Sequence, residues 1–158
     1  MDFSLSRRAL LAALCACTCA SPAFAAAPLV GRPRGRPHVK LDRVELPPGL
    51  AHRDEYLRHL RATLRREVRR ADWGASSKNT ISLRFAVEKL TLVPRASALQ
   101  VQCSALGELP QRRTARSQLS YGGELAAEVR LVKQVLEIVA RGVVSRLSAL
   151  ERARRGMV

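Results

Sequence analysis

The sequence predicts a single small α+β domain in the order strand, helix, two or three antiparallel strands, helix, with two amphipathic helices packed on one sheet. Three observations carry this. Ile81, Leu83, Phe85 and Val87 alternate with Ser82, Arg84, Ala86 and Glu88, the period of a strand with one buried face. Two longer stretches instead repeat apolar residues every three or four positions, as helices with one apolar stripe do. Of the 158 residues, about 25 read as a leader, and the remainder is the size of one domain.

The leader is residues 1–25. Arg7 and Arg8 precede the apolar run Ala9 to Cys17, then Pro22, then Ala23-Phe24-Ala25, which is a basic region, a short hydrophobic region and a small-residue cleavage site in order. The run is shorter than the roughly 20 apolar residues that a membrane span needs. Ser6-Arg7-Arg8-Ala9-Leu10-Leu11 also fits a twin-arginine export signal, so general and twin-arginine export both stay open. Leu14-Cys15-Ala16-Cys17 resembles the box before a lipidated cysteine, although Cys15 departs from the usual small or β-branched residue. Cleavage after Ala25 is favoured. Cleavage before Cys17 would leave an acylated Cys17 and a protein anchored to the membrane on its periplasmic side. Either route predicts an exported protein.

Residues 26–37, rich in Pro, Gly and Arg, form an extended linker. The domain spans 38–151. Val39, Leu41, Val44 and Leu46 mark a first strand whose phase breaks near Asp42-Arg43 and which Pro47-Pro48-Gly49 ends. A helix from Arg53 to Ala71 carries Leu57, Leu60, Leu64, Val68 and Ala71 on one side. After the strand at Ile81, Leu90 and Leu92 fall on the opposite parity, which predicts a bulge near Glu88-Lys89. Pro94 to Ser97 read as a turn, and Leu99, Val101, Cys103 and Ala105 as the returning strand of a hairpin. A loop containing Gly107, Pro110, Arg112 and Arg113 leads to a weaker strand over Ala115–Tyr121, and Gly122-Gly123 break the chain again. The last helix, Glu124 to Glu151, carries Leu125, Val129, Val132, Leu136, Val139, Val143, Leu147 and Leu150. At 1.5 Å per residue it reaches about 40 Å, so its final turns are expected to project beyond a small sheet. Residues 152–158 read as a basic, frayed tail.

The chain carries 28 Lys+Arg against 13 Asp+Glu. Taking Arg7, Arg8 and Asp2 away with the leader leaves 26 against 12, an excess of 14, and only four of the cations are lysine. A charge so far from balance attracts polyanions, and outside the cytoplasm those within reach are anionic lipid, lipopolysaccharide and acidic wall polymers. The first helix concentrates the charge: Arg58, Arg61, Arg65 and Arg69 recur at i, i+3, i+7 and i+11 and fall in one stripe beside the apolar face. A row of guanidinium groups suits phosphate or carboxylate; the plain alternative is a solvated helix face. Asp54, Glu55 and Glu67 are the only acidic residues on that helix to neutralise it.

Pro33-Arg34-Gly35-Arg36-Pro37 matches the core of an AT-hook, in which Arg34 and Arg36 would enter the minor groove of A·T-rich DNA. A single five-residue copy in an Arg-, Pro- and Gly-rich linker behind an export signal is better explained as a basic linker, so DNA binding is the alternative reading and nucleic acid the disfavoured partner. The few aromatics, Tyr56, Trp73, Phe85 and Tyr121, offer no stacking platform for single strands; Trp73 is expected to cap the core. His38, His52 and His59 have no metal-ligand spacing with one another or with Cys103, which reads as a small buried apolar residue. No nucleophile-elbow or phosphate-loop pattern occurs, so no catalytic residues, metal or cofactor are expected. Glu137 and Arg141 are spaced as an ordinary intrahelical pair.

In element order, the helix segment Tyr56–Leu64, the strand Ile81–Glu88 and the hairpin after it resemble the small envelope domains in the amino-terminal part of TolB and in lipopolysaccharide-assembly or transport-auxiliary lipoproteins. The resemblance covers most of residues 38–151 and implies a scaffold or accessory role at the cell envelope, with a partner protein or an anionic polymer as ligand and no catalytic residues. The oligomeric state is left open.

Overall fold

The computed structural model describes residues 37–74, 80–96 and 98–156. The signal segment, nearly all of the linker, and with them Cys17, Arg34 and Arg36, lie outside the described residues. The elements are β1 (His38–Glu45), α1 (Arg53–Arg70), β2 (Thr80–Arg95), β3 (Ala98–Leu109), β4 (Arg113–Glu124), a single 3₁₀ turn (Leu125–Ala127) and α2 (Glu128–Arg154). The strands form one mixed sheet in the order β1-β2-β3-β4. Three of them are antiparallel, and β1 pairs parallel to β2 because α1 carries the chain back to the same end of the sheet.

Both phase breaks read from the sequence are bulges. In β1, Leu41 pairs with Leu83 and Arg43 with Arg84, leaving Asp42 as the extra residue. In β2, Val87 pairs with Ala105 and Lys89 with Ser104, leaving Glu88 as the extra one. Each bulge exchanges the parity that faces the helices, so Ile81, Leu83, Phe85, Val87 and then Leu90 all reach the core. The opposite face has no helix over it and is polar, with Ser82, Arg84, Gln102, Ser104 and Gln118 along it.

Two loops expected around glycines are instead strand. β3 continues through Gly107 to Leu109, and β4 continues through Gly122 and Gly123 to Glu124. Close approach of α2 explains two of these glycines: a Cβ at Gly107 would meet Val143 and Leu147, the latter's Cδ1 at 2.8 Å, and a Cβ at Gly123 would meet Leu131 Cδ1 at 2.8 Å. The β3–β4 turn is made by Pro110, Gln111 and Arg112, with Gln111 and Arg112 both left-handed at φ 67° and 58°.

The stripe on α2 is wider than the spacing predicted. Leu131, Val135 and Val144 join Val132, Leu136, Val139, Val143 and Leu147 in the core, because α2 packs against the sheet on one side and α1 on the other. Leu125 and Leu150, counted in the expected stripe, are exposed. The final turns do not project: Leu147, Ser148 and Glu151 are buried. The sheet is long enough to cover them, since β3 and β4 have 12 residues each and 12 residues of strand span about 40 Å. Nor is the basic tail frayed where described, because Arg154 and Arg155 both reach Glu151.

Candidate functional site: the arginine face of α1

The packing divides α1 into three faces. Tyr56, Leu60, Leu64 and Val68 point into the core. A second face meets α2 and is charged on both sides of the contact: Glu55 pairs with Lys133 and Glu137 with Arg66 at 3.5 Å, and His59 Nε2 lies 3.2 Å from the Glu137 carboxylate. Glu67, nearly buried, pairs with Arg66, Arg70 and Arg141. The intrahelical pair expected between Glu137 and Arg141 is therefore not made. Each crosses to α1 instead, Glu137 to Arg66 and Arg141 to Glu67.

The third face carries Arg58, Arg61, Arg65 and Arg69, all exposed. At 100° per residue they lie within an arc of about 80°, turned away from α2. Among the described residues none of the four has a carboxylate within ion-pair distance; Arg69 Nε donates instead to the Arg65 carbonyl at 3.2 Å. Asp54 begins the same arc one turn before Arg58, without an ion pair. Beyond Arg53 at its first position, the structure sorts the arginines of this helix: Arg66 and Arg70 are taken up by acidic residues of the α1–α2 contact, while the four at the sequence-predicted positions stay together and unpaired. Like charges spaced i, i+3 and i, i+4 repel by a few tenths of a kcal/mol per pair, a persistent cost that an anion spanning them would relieve.

Beside the last turns of α1 lies a feature that the sequence pattern did not reveal. A cleft of about 660 Å³ opens between β1 and α1, lined by Pro37, Val39, Leu41, Val68, Ala71 and Trp73, with His38, Arg65 and Arg69 also along it. Trp73 is buried in the core cluster as expected of a cap, and its Nε1 donates to the Val68 carbonyl at 2.9 Å. The indole therefore turns an apolar surface, with its one donor satisfied, toward the cleft. Only the pairing of β1 beside α1, 24 residues apart at Leu41 and Arg65, brings the floor together.

The remaining candidates separate. Cys103 is buried on the core face of β3, where loss of hydration pushes its thiol up to about 12. Among the described residues no cluster of His, Cys, Asp and Glu could hold a metal ion, and no helix is long and apolar enough to cross a membrane.

No protein-family model and no curated protein matches the chain. Solved structures with a similar arrangement of elements include rare lipoprotein B from Shewanella oneidensis, at 12% identity and TM-score 0.45 over 72% of this chain and 99% of that one. A minor lipoprotein from Acinetobacter baumannii aligns at 13% identity and TM-score 0.40, over 78% of this chain and 96% of that one. PelC from Paraburkholderia phytofirmans aligns at 14% identity and TM-score 0.41, over 73% and 92%. The likeness to these small bacterial proteins is weak.

Proposed function

We propose that this chain is exported to the bacterial envelope and acts there as a non-enzymatic accessory protein, binding an anionic envelope polymer such as lipopolysaccharide, an anionic lipid surface or an acidic wall polymer through Arg58, Arg61, Arg65 and Arg69. The observation that carries this reading is the sorting of charge on α1. The acidic residues of the α1–α2 contact neutralise Arg66 and Arg70 and leave the outward row untouched. Arginine suits such a row, since its planar fork binds phosphate and carboxylate oxygens in pairs. The leader pattern of residues 1–25 supports the compartment.

Two experiments test the two halves. For the row, Arg61→Glu with Arg65→Glu is expected to abolish retention on anionic vesicles and on lipopolysaccharide while circular dichroism stays native. Unchanged retention removes the row from the account, and retention on a partner protein but on neither anionic surface redirects it. For the compartment, the intact mass of the protein from a Gram-negative host should correspond to a chain starting at Ala26 or at an acylated Cys17. A full-length cytoplasmic chain that prefers A·T-rich duplex overturns export and brings Arg34 and Arg36 to the front.

A further inference from the structure

We propose that the cleft between β1 and α1 holds the acyl chain of an anionic lipid, whose phosphate sits on Arg65 and Arg69. The inference rests on the arginine row being an anion site and adds to it a hydrocarbon compartment and a ligand class. The apolar residues lining the cleft are buried or half-buried, whereas Arg65 and Arg69, like His38, are exposed. Its floor is Val39, Leu41, Val68, Ala71 and Trp73, and the guanidinium-bearing residues Arg65 and Arg69 line it one helical turn apart. The indole N–H, which could have held a water, is spent on the Val68 carbonyl; the polar groups left along the cleft are His38 and the outer edge of β1, while the side chains of Val39, Leu41, Val68, Ala71 and Trp73 offer hydrocarbon an apolar surface. The volume of about 660 Å³ falls within the range of roughly 300–1,000 Å³ found for small-molecule pockets. A sugar polymer or a wall polymer would leave such a floor unused, whereas a lipid satisfies both ends at once.

Trp73 is the only tryptophan of the chain and part of the cleft wall, so its fluorescence reports occupancy directly. The full chain is titrated with dodecyl phosphate brominated near its methyl end, kept below its micelle concentration, since bromine quenches an indole only at contact. Saturable quenching is expected. Inorganic phosphate should leave emission unchanged, and the same brominated chain on a neutral maltoside head should bind about tenfold or more weakly, as should the alkyl phosphate with Arg65→Gln/Arg69→Gln, a loss typical of one or two charge-assisted hydrogen bonds. Both substitutions are on exposed side chains, so the fold is not at risk. Val39→Phe, which fills the floor, should remove quenching and keep vesicle retention. Arg58→Gln/Arg61→Gln should do the reverse, which separates failure of the cleft from failure of the row. Absence of quenching, or quenching equal for the neutral head or the doubly substituted protein, overturns the proposal.

Discussion

Arg113, the first residue of β4, donates a hydrogen bond to Glu151 in the last turn of α2, tying together positions 38 residues apart. Arg154 and Arg155 converge on the same carboxylate, with Arg154 Nη2 at 2.9 Å and Arg155 Nε at 2.8 Å. Burial alone would raise the pKa of Glu151, but the three guanidinium groups outweigh it and hold the carboxyl at about 2, below its ordinary 4.5. A depressed folded-state value means stability that is complete above the unfolded value and is lost as the pH falls through the folded one. The protein should therefore lose on the order of 3 kcal/mol between about pH 5 and pH 2 through this group. Glu151→Gln should flatten that part of the acid-unfolding curve and lower the denaturant midpoint at pH 7. A variant with the wild-type acid limb would show that the cluster contributes nothing.

Gly107 should tolerate no side chain. Its missing Cβ makes room for Val143 and Leu147 of α2, and overpacking of that kind typically costs about 1–3 kcal/mol. Gly122, one strand over with open space around its Cβ position, is the matched control. In urea unfolding, Gly107→Ala should be destabilised by the amount above and Gly122→Ala by a few tenths at most.

Cys103 should be inert in the folded protein. It is 3% exposed and its thiol is pushed up to about 12 by burial, so almost none is thiolate at pH 8. Labelling of Cys103 by a disulfide reagent, followed by peptide mapping, should track global unfolding as urea is raised. Fast labelling in native buffer would mean that β3 opens locally.

The two sets of arginines on α1 should respond oppositely. Arg66→Gln removes contacts to Glu67 and Glu137, and as a half-exposed pair it should cost up to about 1 kcal/mol of stability without altering retention on anionic vesicles. Arg58→Gln removes no ion pair and should leave the melting temperature unchanged while weakening retention, with a shallower dependence on salt. Equal effects of the two on binding would show that net charge matters and its placement does not.

Much of this fold was local enough to read. Alternation along Ile81–Val87, the slip of parity after Glu88 and the repeat on both helices are properties of neighbouring residues, because strand and helix periods express themselves within a few positions. The bulges at Asp42 and Glu88 were legible for the same reason, as was the outward row Arg58, Arg61, Arg65 and Arg69, whose spacing is set by one helix alone. The leader lies in the sequence pattern only.

What the chain order could not determine was which distant groups meet. Gly107 and Gly123 look like breaks in one dimension and are clearances for α2 in three. Glu67 and Glu151 look like surface charges and are buried under arginines from other segments. Glu137 and Arg141 look like partners and each pairs across to α1. The cleft exists only because β1 lies beside the last turns of α1. A helix or strand period is fixed by backbone geometry over a few residues, whereas ion pairs, close approaches and clefts depend on how whole elements dock, and only the tertiary structure decides that.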